Sequence, residues 1–245
     1  FGRQAGDRII SADGKSLAGV KVANEDVMKA LRGPEGSSVT VAILRGHAKP
    51  FEVTIERGEI PINSIAASLL DADGTGYIKL SRFAKTSEEE FDRATKHLME
   101  QGMKRLVLDL RGNGGGYLNA AKALCDRLLP AGQRILYTQG RTSPRKDFFA
   151  EGGGPLTELP LALLIDEGSA SASEIVAGAV QDNDRGLVVG RRSFGKGLVQ
   201  EHMELEDHSA VRITTARYYT PSGRSIQRPY GEGIDYDEDM SSRFD

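Results

Sequence analysis

What most constrains this chain is a junction that recurs along it: a short apolar run gives way abruptly to glycine or small polar residues. Arg105 to Leu110 runs into Arg111-Gly112-Asn113-Gly114-Gly115-Gly116 and then into a helical pattern over Leu118 to Leu129. Leu161 to Ile165 runs into Asp166-Glu167-Gly168-Ser169-Ala170-Ser171 and then into a small-residue helix over Ala172 to Gln181. Leu187 to Val189 precedes Ser193-Phe194-Gly195-Lys196-Gly197. Strand patterns interleaved with helical ones predict an α/β core. Loops at strand ends are where sites usually form.

The rest of the chain fits that frame. Gly76 to Leu80 and the alternating Ala210 to Tyr219 read as strands, and Ser87 to Gln101 reads as an amphipathic helix with Ser87 and Glu90 as a capping box. Residues 1–58 have a different texture. Asp7 to Ala12 leads into an Asp13-Gly14 hairpin turn, and Asn24 is placed to cap Glu25 to Leu31. Ser38 to Leu44 and Phe51 to Glu56 alternate as an antiparallel pair, giving a small β-rich module. The expected domains are therefore 1–58 and 59–245.

Composition excludes several classes. Lys and Arg number 32 against 35 Asp and Glu, a formal net charge of −3, so no cationic surface for nucleic acid is expected. No apolar run approaches the ~20 residues that span a bilayer. The single Cys125 cannot form an internal disulfide. The start, Phe1-Gly2-Arg3, has neither an initiator Met nor a signal pattern, and reads as an interior cut.

Each glycine or serine junction allows more than one chemistry. Gly112 to Gly116 exposes main-chain N–H groups at a helix start, which suits a phosphate or a developing oxyanion, or is simply a tight turn. It lacks the Lys-Ser/Thr ending of a P-loop. Ser171 to Glu174 is a capping box that by itself needs no function, yet a serine on a strand-to-helix turn between alanines is also the setting of a nucleophile elbow. Lys196 lies between two glycines, with Phe194 and Leu198 as expected apolar cover. Burial of that kind disfavours an ammonium, and lowering a lysine from ~10.4 to near 7 costs about 4 kcal/mol. The four histidines, His47, His97, His202 and His208, all lie away from the glycine-rich strand ends. Lys196 is thus the better-placed base for Ser171, which points to a Ser-Lys pair.

Two other patterns read as structural. Asp71-Ala72-Asp73-Gly74-Thr75-Gly76 has its glycine too early for a calcium loop and is expected to be a hairpin turn. Glu201 to His208 lacks metal-site spacing and is expected to be a charged hairpin. Arg111 is expected to be an ion-pair partner, and Asp235 to Asp239 a solvated acidic stretch.

At this point two resemblances become specific. "QAGDRIISADGKSL", "VMKALRGPEGSSVTVAILR" and "FEVTIERGEI" resemble the later part of a PDZ domain of the bacterial protease type. "LVLDLRGNGGG", "IDEGSASASEIVAGAVQDNDRGLVVGRRSFGKGLVQ" and "RITTARYYTPSGRSIQ", in that order, resemble the C-terminal processing peptidases, or tail-specific proteases. That resemblance implies a crotonase/ClpP-like protease core beside a partial PDZ domain, with the core continuing beyond Asp245. It implies a serine endopeptidase that cuts unstructured protein C-terminal regions without cofactor or metal, in the periplasm or cell envelope. It places the nucleophile on Ser171 and the general base on Lys196, 25 residues later, with Gln200 orienting the lysine. The oxyanion hole falls on the amides of Ala172 and Gly116, with Gly115 open as the alternative register, and Asp182 is a supporting acid. Two other classes remain: a proteolytically silent peptide-binding fragment, and an acyl-CoA enzyme on the same core.

Overall fold

A computed structural model describes residues 6–19, 21–58, 63–207, 209–229, 231, 233 and 235. His208, residues 1–5 and residues 236–239, with the acidic Asp237, Glu238 and Asp239, lie outside that set. The chain forms two compact units, Phe1–Ile62 and Asn63–Asp245.

The first unit is a four-stranded antiparallel sheet in the order β2-β1-β3-β4, with β1 Arg8–Ala12, β2 Lys15–Ser16, β3 Ser38–Leu44 and β4 Phe51–Glu56. Asp13 and Gly14 turn β1 into β2, both at positive φ (46° and 76°), as a tight hairpin of this twist requires. Alternation in β3 sends Val39, Val41 and Ile43 inward, where they meet Ala12, Leu17 and Val53 and the Ala30 and Leu31 face of α1, Asn24–Leu31. Asn24 is the first helical residue rather than the cap; Ala23 takes the cap position and gives no side-chain hydrogen bond. The Arg57 guanidinium closes the other end of α1, donating to the Leu31 carbonyl at 2.9 Å.

The second unit is built on a five-stranded sheet in the order β11-β10-β7-β6-β5. Its strands are β5 Ile65–Leu70, β6 Thr75–Leu80, β7 Arg105–Asp109, β10 Leu161–Ile165 and β11 Leu187–Gly190. β5 and β6 form a hairpin, and Asp71 organises its turn by accepting the Asp73 and Thr75 amides at 2.9 and 2.7 Å. From β6 to β11 every pairing is parallel. Both faces of such strands are covered, so β7 and β10 read as continuous apolar runs. The crossovers carry α2 Ser87–Glu100, α3 Leu118–Leu128 and α4 Ala172–Asp182. A second sheet, β12-β13-β8-β9, comprises β8 Arg134–Gln139, β9 Lys146–Phe149, β12 Leu198–Glu204 and β13 Ala210–Tyr219.

Helix α4 is buried on all sides over most of its length. Every residue from Ala172 to Val180 is buried, which its alanines and Gly178 allow, because a side chain at 178 would stand 2.7 Å from Thr220 Cγ2. The expected capping box at the start of α2 does not form. Glu90 instead accepts the amides of Ser64 and Ile65 at 2.7 and 3.0 Å, and Ser87 Oγ bonds Ser64 Oγ at 2.7 Å. Ser64 is wholly buried and Ile65 opens edge strand β5, and binding their amides takes Glu90 away from the local motif, a tertiary demand overriding a local one.

Candidate active site

β7 and β10 are parallel neighbours, so their carboxyl ends deliver the glycine loop and the serine loop side by side. Ligand sites in parallel sheets lie at such ends. The glycine loop is anchored at its root by Asp109, whose side chain is 1% exposed. Asp109 accepts two hydrogen bonds from the Arg111 guanidinium at 3.0 and 2.8 Å and one from Tyr77 Oη at 2.7 Å, and Lys79 Nζ lies 3.2 Å away. Burial pushes this carboxyl up, but the bonds from Arg111, Tyr77 and Lys79 outweigh it and hold the group well below the usual carboxylate range. Arg111 is therefore the ion-pair partner its place beside the loop suggests.

The two loops are then stitched together. Gly112 N–H donates to Asp166 Oδ1 at 2.7 Å, Ser169 Oγ to the Leu110 carbonyl at 2.8 Å, and Ala170 N–H and Ser173 Oγ to the Asn113 carbonyl at 3.0 and 2.8 Å. Asn113, wholly buried, reaches the Leu80 carbonyl with its amide and takes the Gly115 N–H on its oxygen at 2.9 Å. Nearly every polar group of the junction is thus committed to holding one shape.

Ser171 sits at the tip of that shape with φ +57° and ψ −110°. An ordinary N-cap serine lies in the β region, and this conformation is one that an L residue holds at a cost of order 1–3 kcal/mol. The capping box is present, with Ser171 N–H donating to Glu174 Oε2 at 2.8 Å. It accounts for the start of the helix but not for the strained backbone, since the Glu174 amide already donates to the Ser171 carbonyl at 2.9 Å.

The two glycines whose register the sequence leaves open have different surroundings. At Gly115 (φ +95°) a Cβ would stand 2.8 Å from Ser171 Cβ and 2.9 Å from Ala172 N, so only glycine leaves the first amide of α4 uncovered. Its own N–H is taken by Asn113. Gly116 (φ +150°) packs on Phe83 in a parallel bridge and is exposed. Among the described residues, the amides of Ala172 and Gly116 donate no hydrogen bond. Two open N–H groups near a strained serine are suited to a developing negative charge.

Lys196 departs from expectation. Its side chain is exposed rather than covered by Phe194 and Leu198, and the Phe194 ring instead carries the Arg228 guanidinium, 5.1 Å from its centroid. Among the described residues, Lys196 Nζ makes no hydrogen bond or ion pair, to Ser171 or to any other group. The lysine's main chain, in contrast, is fixed to the serine turn. Glu174 Oε1 accepts from Ser193 Oγ at 2.7 Å and Gly195 N–H at 2.6 Å, while Oε2 accepts from Lys196 N–H at 2.8 Å as well as from Ser171 N–H. One buried carboxylate thus holds both loops. The Ser-x-x-Glu spacing signalled Glu174 only as a helix cap, and its second set of partners is non-local.

Gln200 lies near the start of β12, exposed, beside a bulge between Val199 and Gln200, with no side-chain bond to Lys196 among the described residues. Asp182 is the last residue of α4, at the opposite end from Ser171, where it accepts Ser222 N–H and Oγ at 2.9 and 2.6 Å and pairs with Arg224 at 2.5 Å. No group of three or more His, Cys, Asp or Glu side chains among the described residues is placed to hold a metal ion. No helix among them is long and apolar enough to cross a membrane.

A parallel sheet that presents a strained serine, open amides and a lysine loop at its carboxyl edge has the features of a hydrolase. The model of peptidase family S41 matches residues 74–240, and the chain belongs to that family. It is 42% identical over 229 residues to the carboxy-terminal-processing protease of Bartonella bacilliformis, covering 91% of this chain and 52% of that protein. It is 38% identical over 231 residues to the carboxyl-terminal-processing protease of Synechocystis sp., covering 93% and 53%. Among solved structures, the photosystem II D1 C-terminal processing protease superposes with a TM-score of 0.62 at 33% identity, over 92% of this chain and 61% of that one. The chain spans about half the length of the curated relatives it matches.

Proposed function

We propose that the protein is a serine endopeptidase of the C-terminal processing type. The observation that carries this reading is the strained turn at Ser171, set against the open Ala172 amide and joined through Glu174 to the Lys196 loop. Neutral Lys196 takes the Ser171 Oγ proton as Oγ bonds to the peptide carbonyl carbon. The amides of Ala172 and Gly116 receive the oxyanion, and Gly115 keeps the Ala172 amide uncovered. As the C–N bond breaks, the Lys196 ammonium gives its proton to the leaving amine. Water then attacks the acyl-enzyme with Lys196 again as base, and Ser171 is released. Gln200 orients the lysine head, and a substrate chain lying over the loop supplies the apolar cover that Lys196 lacks here. Asp182 acts as a supporting residue from the far end of α4.

The same reading takes 59–245 as a crotonase/ClpP-like protease core and 1–58 as the later part of a PDZ domain. Its substrates are proteins with unstructured C-terminal regions, and its site of action is the periplasm or cell envelope; some similar proteins are chloroplastic. The test is covalent labelling of Ser171 in the full-length protein by a fluorophosphonate, with cleavage of an unfolded substrate measured in parallel. Labelling and cleavage are expected in the wild type and lost in Ser171→Ala. Lys196→Ala is expected to fold normally and lose cleavage. Turnover near the wild-type rate by either variant overturns the mechanism, and a wild type that never labels favours a cap serine in a peptide-binding protein.

A further inference from the structure

The Lys196 loop is held on a second flank by the segment that follows β13, and nothing in the Ser-Lys reading requires that segment. Gly197 N–H donates to Gln227 Oε1 at 3.0 Å. Arg228 N–H donates to the Gly195 carbonyl at 3.0 Å, and from the end of β13 itself Tyr218 N–H donates to the Gly197 carbonyl at 2.8 Å. The approach is close enough to dictate both glycines around the lysine. A Cβ at 197 would stand 2.3 Å from Gln227 N, and one at 195 would stand 2.8 Å from Arg228 Cβ.

This segment is in turn fixed by α4. Asp182 holds the Thr220–Arg224 turn through Ser222 and Arg224, and Arg224 also donates to Gln181 Oε1 at 2.9 Å. A carboxylate in the last turn of a helix faces the negative end of the dipole, an unfavourable place unless donors surround it. Ser222 and Arg224 are those donors. Glu174 in the first turn of α4 therefore grips one side of the Lys196 loop, and Asp182 at its end, about 12 Å away at 1.5 Å per residue, fixes the segment that grips the other.

We propose that Gln227 is a positioning residue for Lys196, acting through the Gly197 amide, and that Asp182 exerts its influence on the site through the turn that presents Gln227. The proposal rests on the Ser-Lys reading above. Gln227→Met keeps the length of the side chain but removes the acceptor, whereas Gln227→Glu keeps an acceptor for Gly197 N–H and loses the donor to the Arg228 carbonyl, now 3.2 Å away. A lysine displaced by a fraction of an ångström is expected to lower kcat by about tenfold or more with KM little changed.

The experiment measures kcat, KM, their pH profiles and the rate of fluorophosphonate labelling of Ser171 in full-length wild type, Gln227→Met, Gln227→Glu, Asp182→Asn and the Asp182→Asn/Gln227→Met double variant. Thermal unfolding of each serves as the control for folding. Gln227→Met is expected to label and turn over about tenfold slower with a shifted basic limb, Gln227→Glu to recover within about threefold, and the double variant to be no slower than the worse single one. A Gln227→Met enzyme with wild-type kcat and pH profile overturns the proposal, as does a Gln227→Glu enzyme as slow as Gln227→Met. Additive losses in the double variant overturn the route from Asp182. A wild type that does not label overturns the Ser-Lys reading and this proposal with it, which separates the two failures.

Discussion

Replacing Gly115 with alanine tests whether the glycine loop is shaped for an oxyanion or only for a turn. The substitution has two separable consequences. The first is backbone strain: at φ +95° an L side chain costs about 1–2 kcal/mol. The second is collision, because the new Cβ would stand 2.6 Å from the Ala170 carbonyl oxygen, 2.8 Å from Ser171 Cβ and 2.9 Å from Ala172 N. Ordinary contacts begin near 3.4 Å, so the two loops must part by about 0.5–0.8 Å at the point where the Ala172 amide is open. Gly112→Ala is the matched control, with φ +69° but no atom within 4 Å of the added carbon. Gly112→Ala should therefore lose about 1–2 kcal/mol in denaturant unfolding and keep its kcat within a few-fold. Gly115→Ala should lose about 2–4 kcal/mol, strain plus overpacking, and about 10²-fold or more in kcat, the size of effect seen when one oxyanion donor is removed. The assay is kcat on an unfolded protein substrate beside a denaturation curve for each variant. If Gly115→Ala turned over as fast as Gly112→Ala, the space between Gly115 and Ala172 would have no part in the reaction and the oxyanion assignment would fall.

Two further outcomes need no substrate. Asp109 has its folded-state pKa depressed, so the folded protein binds fewer protons than the unfolded chain and the contribution of Asp109 is present above the unfolded value of ~3.9 and lost as pH falls through the folded one. The stability gap between wild type and Asp109→Asn, about 3 kcal/mol at pH 7, should therefore narrow below about pH 4 in urea unfolding; a gap that stayed constant down to pH 2 would show that the Arg111 and Tyr77 bonds do not act on the ionised form. Cys125 is wholly buried, and burial together with Asp126 pushes its thiol above the usual range. An aromatic disulfide reagent should react with it only after unfolding, and prompt reaction in the native state would contradict its place in the core under α3.

The parts of the fold that the sequence announced are those in which one residue type answers one local requirement. Ala210–Tyr219 is rich in β-branched and aromatic residues and is recognised end to end, as are the alternating Ser38–Leu44 and Phe51–Glu56. The strands not anticipated, β5, β8 and β9, lack such a signature. Lys146–Phe149 has only four residues, two of them charged, and Ile65–Leu70 carries four good helix formers, so pairing with neighbouring strands decides both. Capping departs from the local pattern for a related reason. At Ser87 the local box lost its glutamate to Ser64 and Ile65, residues more than twenty positions away. At Ser171 the box forms, and because it sufficed as an explanation it concealed the three other donors that Glu174 gathers from residues 193–196. Phe194 was read as cover for its neighbour Lys196, yet it packs against Arg228, a partner that local spacing has no means of naming.

These errors share a direction that bears on how the site works. Local reading places the cover of Lys196 on Phe194 and Leu198, whereas the loop around the lysine is held by Glu174, Gln227 and Arg228 and the side chain is exposed. The main chain on either side of Lys196 is therefore set in advance, and only the four-carbon side chain has freedom. Ordering a lysine side chain costs about 2 kcal/mol, equivalent to roughly thirtyfold in population. If Lys196 is the base, that is the order of rate that a well-seated substrate would recover by covering the loop, with no domain movement required. A short peptide that fills the site next to Ser171 but does not reach over Lys196 should then show its deficit in kcat rather than in KM.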